Sequence, residues 1–117
     1  MIQKIASPTR IQVPGDKVLE EYIGRVNSET ATLSVAHMVS PPGWSEPYQT
    51  PEFDEVTIVL RGKLRVEHEG GTTDIGVNET ILAPAGERVR YSNPFEEENE
   101  YWAICVPAFS IDTVHRE

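Results

Sequence analysis

No segment of this chain keeps its apolar residues at a sustained helical spacing, and that rules out a helical fold. In place of helices there are short runs of β-branched and aromatic residues, each stopped by turn-forming residues, among them 9 prolines and 8 glycines. The clearest run is EVTIVL at residues 55–60. Arg61-Gly62-Lys63 then marks a tight turn into LRVEH, whose polarity alternates, so the two runs predict a hairpin. Alternation along the first strand puts Glu55, Thr57 and Val59 on one face and Val56, Ile58 and Leu60 on the other. Glu55 opens this strand directly after the polar loop WSEPYQTPEFD, a position suited to the mouth of a cavity.

The remaining runs are shorter. Ile11–Val13 precedes a Pro14-Gly15 turn, and Tyr22–Val26 ends at Asn27-Ser28. In residues 32–39, Leu33, Val35, His37 and Val39 share one face, with Thr32, Ser34, Ala36 and Met38 on the other; Pro41-Pro42-Gly43 stops the strand. Thr72–Ile75, Thr80–Ala83, Val89–Tyr91 and the strongly apolar Tyr101–Val106 complete the set. Some eight to ten strands, at the spacing of about 8–12 residues typical of sandwiches and barrels, predict an all-β antiparallel fold. A chain of 117 residues is expected to make one domain with one modest core. Residues 1–10 read as an N-terminal arm, an edge strand or dimer arm, and 107–117 as a tail packed along the outside.

Charge narrows the function classes. With 19 acidic and 10 basic residues the net charge is −9, which argues against a surface for nucleic-acid phosphates. Glu96-Glu97-Glu98 reads as a solvated loop. The single cysteine, Cys105, has no internal disulfide partner and sits in an apolar strand, where thiols are usually inert. No long apolar segment calls for a membrane, so a soluble cytoplasmic protein is expected.

Two spacings carry a resemblance. Gly43, five residues, Gln49-Thr50-Pro51, three residues, Glu55, six residues and Gly62 follow the framework of the first motif of the cupin family. Asn78, five residues, Pro84-Ala85-Gly86, two residues, Val89, three residues and Asn93 follow the second. The chain therefore resembles the cupins, and the resemblance implies a small jelly-roll β-barrel. It also implies pairing into a homodimer, which would cover a sheet edge. The family's usual metal ligands, three histidines and a glutamate, fall by position on Gln49, Pro51, Glu55 and Val89, of which only Glu55 is a strong ligand. The implied site thus lacks the usual histidines, and a divalent metal is expected only through a variant set of Glu55, Gln49 and His37. Cupins without the histidines include sugar epimerases and the ethanolamine-utilisation type, the latter similar in its Asp-Glu-Val strand entry.

The candidate site follows from that barrel. Glu55, His37 and Tyr91 are the candidate catalytic groups; Gln49, Tyr48, Glu46, Trp102 and Met38 are the candidate ligand contacts. Glu55 has two readings: a loop-binding or Arg90-paired carboxylate, or a desolvated acid–base group. His37 likewise is either a hydrogen-bonded core histidine or an inward imidazole near Glu55. Tyr91 shares a face with Val89 and Asn93, and Asn93 is expected to end its strand in a turn. Glu46, Glu52, Asp54 and Glu55 either bind a hard cation or are simply solvated. The expected partner is a small polar metabolite. The expected functions are acid–base catalysis of isomerase, epimerase or lyase type, a variant metalloenzyme, or non-catalytic ligand sensing.

Overall fold

The computed structural model describes residues 1–117. It contains nine strands and no helix: β1 (Thr9–Arg10), β2 (Val18–Ile23), β3 (Ser34–Ser40), β4 (Asp54–Arg61), β5 (Leu64–His68), β6 (Gly71–Ile75), β7 (Thr80–Ala83), β8 (Arg90–Ser92) and β9 (Asn99–Val106). They form two antiparallel sheets, one in the order β1-β2-β3-β9-β4-β7 and one in the order β6-β5-β8. The all-β jelly-roll barrel is therefore present. No helix is long and apolar enough to cross a membrane.

The link between β4 and β5 falls where the residue pattern places it, but it closes no hairpin. β4 pairs with β7 and β9 in the larger sheet and β5 with β6 and β8 in the smaller, so the link carries the chain from one sheet to the other. Gly62 in its turn has φ +71°, and a Cβ there would come within 2.7 Å of the Glu98 carbonyl oxygen, so a side chain is excluded. The inward residues of β4 and β5 make the core: Val59 and Leu64 are fully buried and Val66 nearly so, packed with Val89, Tyr91 and Tyr101 from other strands. Burying each such side chain stabilises the fold by roughly 1.5–3 kcal/mol. Asn93, also fully buried, ends β8 with its Oδ1 accepting the Phe95 N–H, and its amide donates to Ser40, Pro41 and Glu97 carbonyls. That bears out the turn expected of it.

Three segments differ from the pattern read in the sequence. The second strand runs from Val18 rather than Tyr22, because residues 24–28 form a turn closed by the Glu21 carboxylate, which accepts the N–H groups of Val26 and Asn27 at 2.9 Å each. Ile11–Val13 is not a strand: Thr9 and Arg10 form the ladder with β2, Ile11 adds one N–H bond to the Leu19 carbonyl, and residues 1–8 form no strand. The tail does not lie along the outside. Val114 is buried with Phe53 and Cys105, and Arg116 bridges to Gln49, so the tail folds over the end of the barrel.

Strand register also defines an outer apolar row across the larger sheet. Ile23, Val35, Ile104, Val56 and Leu82 lie side by side on β2, β3, β9, β4 and β7. Leu82 is 62% exposed.

Candidate functional site

The cavity begins with small residues on the inner face of the larger sheet. Ser34, Cys105, Glu55 and Ala83 lie in register across β3, β9, β4 and β7, beside the row Ala36, Ala103, Thr57 and Ile81. Where a filled core would carry leucine or phenylalanine, these rows carry serine, alanine and cysteine. The space left by Ser34, Ala36, Glu55, Ala103 and Cys105 is a cavity of about 240 Å³, closed by the 44–53 loop, the Pro14–Lys17 turn and the tail. Glu55 stands in that wall, at the entry of β4, where the alternation of the strand points it inward.

Opposite stands a residue that the motifs do not contain. Pro14-Gly15-Asp16 turns with φ +83° at Gly15 and +57° at Asp16, and this left-handed pair swings Lys17 into the cavity. A Cβ on Gly15 would sit 3.2 Å from the Trp44 ring, tighter than ordinary contact. The Lys17 ammonium lies 3.6 Å from the Trp44 ring centroid and donates a 2.5 Å hydrogen bond to the Tyr101 hydroxyl oxygen. Glu46 and Arg116 complete the polar lining, with Arg116 Nη2 at 3.8 Å from Glu46 Oε2 and Nε donating to Gln49 Oε1 at 3.4 Å.

Burial dominates the electrostatics. It raises the Glu55 carboxyl to about 7; the Glu46 charge adds to the rise, while Lys17, the Tyr91 phenol and Arg116 oppose it. Burial likewise lowers the Lys17 ammonium to about 8, against the pull of Glu46 and Glu55. Glu46 is pushed up by burial and held back by Lys17 and Arg116. Tyr91 is pushed well above the usual phenol range by burial, then by Glu55 and Glu46, and its hydroxyl has no well-formed hydrogen bond. Cys105 lines the cavity beside Glu55, but burial pushes its thiol up, so it stays protonated and inert. One carboxyl and one amine thus sit in the same enclosed space with proton affinities brought close together, near neutral pH.

The structure gathers Glu55, Tyr91, Gln49, Glu46 and Met38 around the cavity. It does not bring His37, Trp102 or Tyr48 there. His37 and Trp102 are paired on the outer face of the larger sheet, ring centroids 5.1 Å apart, with the imidazole between Glu20 at 3.2 Å and Glu100 at 2.5 Å. Tyr48 lies on the outside of the smaller sheet, its ring 3.8 Å from the Arg88 guanidinium and its hydroxyl bonded to Glu67. Arg90 pairs with Glu67 as well, not with Glu55. The acidic loop disperses: Glu52 pairs with His115, and Asp54 accepts the Ala85 N–H. Lys17, Tyr101 and Arg116 lie outside both motifs, and Trp44 is one of the first motif's unspecified positions; the unusual pair of left-handed residues before Lys17 is foreshadowed only by the Pro-Gly-Asp sequence.

These residues do not fit a transition-metal centre. No three histidine, cysteine, aspartate or glutamate side chains are arranged so that they could hold a metal ion. His37 cannot complete a set with Glu55 and Gln49, because it faces away from them across the sheet. His68 is bonded to Thr73 and His115 to Glu52. Val89, at the family's third histidine position, is packed in the core with Val66 and Tyr91. The cavity instead holds an ammonium and a guanidinium beside its two carboxylates.

A family model described as Cupin domain matches residues 36–107. An endoribonuclease YbeY of Myxococcus xanthus is 46% identical over 107 residues, 90% of this chain; the chain spans about a third of that relative, 36% of its length. Among solved structures, a variant oxalate decarboxylase of Bacillus subtilis superimposes with a TM-score of 0.79 at 18% identity, covering 96% of this chain and 31% of the other. An ethanolamine utilization protein Q of Salmonella typhimurium gives a TM-score of 0.70 at 19% identity, covering 86% and 80%. At such identities the structural likeness speaks for the fold alone.

Proposed function

The chain belongs to the cupin domain family, and we propose that its barrel binds a small polar metabolite and moves a proton on it, as an isomerase, epimerase or lyase does. The observation that carries this reading is Glu55: a carboxyl in the cavity wall, with no cation within salt-bridge distance, raised to about 7. A base poised near the working pH is what proton abstraction from carbon needs, and such positioning contributes roughly 10²–10⁴ in rate. Glu55 takes the proton; Lys17, across the same space, balances the negative charge that develops on the neighbouring oxygen. The Tyr91 hydroxyl has a free hydrogen-bonding capacity to orient the ligand. At about 240 Å³ the cavity falls below the range of about 300–1,000 Å³ usual for drug-sized ligands, so a small metabolite suits it.

The test is proton exchange in D₂O, followed by NMR on pyruvate, acetone and dihydroxyacetone. We expect deuterium to enter the carbon beside the carbonyl of at least one of them, and Glu55→Gln to abolish it. Exchange that survives in Glu55→Gln, or no exchange in any of the three, would overturn the reading.

A second reading is favoured by the Myxococcus xanthus relative, in which a segment like this chain belongs to a much longer protein called an endoribonuclease. In this second reading the barrel of this chain is a metabolite-sensing module without cleavage activity of its own; the charge of −9 agrees, since it argues against a surface for RNA phosphates. In either reading the chain is proposed to be cytoplasmic and to pair with a second copy of itself. The outer row from Ile23 to Leu82 supports pairing, because a continuous apolar row on a sheet face gains stability by being covered.

A further inference from the structure

We propose that Lys17 captures its ligand covalently: its amine condenses with the carbonyl carbon of a short-chain oxo acid inside the barrel to form an iminium. The proposal deepens the proton-transfer reading and rests on it for placing a carbonyl compound in this cavity.

The placement of Lys17 is what carries it. Arg10, Arg61, Arg65, Arg88 and Arg90 each lie within 4.0 Å of a carboxylate oxygen, whereas Lys17, enclosed in the cavity, has none at that distance. Its contacts are instead an aromatic face, Trp44, and a neutral acceptor, the Tyr101 hydroxyl oxygen. A lysine anchored in an ion pair stays an ammonium, while one held by neutral groups in an enclosed space is free to lose its proton and become a nucleophile. Lys4 and Lys63, the other lysines, are exposed on the surface. The lowering of Lys17 to about 8 is in keeping with this.

The neighbours supply the rest. Arg116 lines the cavity end with a guanidinium held by the neutral Gln49 amide oxygen at 3.4 Å and only loosely by Glu46 at 3.8 Å, so donors remain for a ligand carboxylate. That favours an oxo acid over a neutral carbonyl. Glu55 balances the protons. The Lys17 ammonium gives one to the Glu55 carboxylate; the free amine then attacks the carbonyl carbon, and proton transfer within the adduct leaves a neutral carbinolamine. The Glu55 carboxylic acid protonates the departing hydroxyl, the C–O bond breaks, and water leaves. The sum is ammonium plus carbonyl giving iminium plus water, with Glu55 a carboxylate again and no oxidant or reductant consumed. An iminium acidifies the adjacent C–H, which joins the capture to proton removal by Glu55.

The experiment traps that iminium. The protein is incubated at neutral pH with pyruvate, or with acetone as the neutral counterpart, and sodium cyanoborohydride, and the reduced adduct is mapped by peptide mass spectrometry. We expect one adduct per chain on Lys17, forming at least roughly tenfold faster than on Lys4 or Lys63, as activated lysines do. Because all three lysines are compared within one wild-type sample, the result does not depend on a variant folding. Lys17→Met, with its fold checked by circular dichroism, is expected to lose the fast adduct, and Arg116→Met to slow pyruvate relative to acetone. Labelling of Lys17 no faster than that of Lys4 and Lys63 overturns the proposal. Trapping at Lys17 without deuterium exchange supports capture and overturns proton transfer; exchange without trapping does the reverse.

Discussion

The ammonium of Lys17 donates a 2.5 Å hydrogen bond to the hydroxyl oxygen of Tyr101, across 84 residues of sequence. This bond ties the Pro14–Lys17 turn to β9 and holds the amine over the cavity. Tyr101→Phe keeps the buried ring and removes the acceptor. Hydrogen bonds to charged groups contribute about 1.5–3 kcal/mol, so the variant is expected to lose about 2 kcal/mol in urea unfolding. Its Lys17, without the acceptor, is expected to titrate below the wild-type position in ¹⁵N NMR.

The two perturbed groups predict an unusual stability profile. The Glu55 carboxyl binds its proton more tightly folded than unfolded, so its contribution falls as pH rises from 4.5 to about 7. Lys17 binds its proton less tightly folded, so its contribution recovers as pH rises from about 8 towards 10.5. Together they place a minimum between about 7 and 8. The stability difference between wild type and Glu55→Gln is expected to worsen for wild type by about 2 kcal/mol between pH 4.5 and 7, given 1.36 kcal/mol per pKa unit and some cavity hydration. A flat difference across that window, in urea titrations at stepped pH, would contradict the assignment. Lys17→Met, which removes a buried charge, is expected to be no less stable than wild type at pH 7.

The small side chains that make the cavity can be tested by filling it. Ala103 is 2% exposed and faces the enclosed space. Ala103→Leu is expected to abolish proton exchange and lysine trapping, at a stability cost below about 3 kcal/mol by thermal unfolding, the range of ordinary overpacking. Exchange at the wild-type rate in a folded Ala103→Leu protein would show that the chemistry lies elsewhere.

Much of the barrel was legible in the residues, and the reasons for the misses are physical. The strands β4 and β5 with the turn at Gly62, the shared face of Val89, Tyr91 and Asn93, and the inward Glu55 follow from alternation and turn chemistry, which are local. Which sheet each strand joins is not local, and β4 and β5 part into different sheets instead of pairing as a hairpin. His37 shows where alternation stops. The two faces of β3 separate correctly, but the more apolar one, with Val35 and Val39, turns outward. Apolar character marks the inside only when the inside is a filled core; here the inner face lines a cavity, so it carries Ser34 and Ala36. Lys17 sits in a Pro-Gly-Asp-Lys stretch that reads as an ordinary surface turn, and Arg116 in a tail with no period. Only the closure of the barrel brings them to Glu55, a tertiary fact that no spacing encodes.

The outer face should respond to a charge. Leu82 ends the apolar row opposite Val56. Wild type is expected to sediment as a dimer at micromolar concentration, and Leu82→Glu to weaken pairing at least tenfold, equivalent to about 1.4 kcal/mol. A wild-type protein that sediments as a monomer would remove the dimer from the account.

The most direct test of the central claim, that Glu55 and Lys17 form an acid–base pair at neutral pH, is the titration of the Glu55 carboxyl carbon by ¹³C NMR in wild type and Lys17→Met. The account predicts a midpoint near 7 in wild type and a higher one once the Lys17 charge is removed. A midpoint in the ordinary glutamate range, about 4.3, with no response to Lys17→Met, would contradict it.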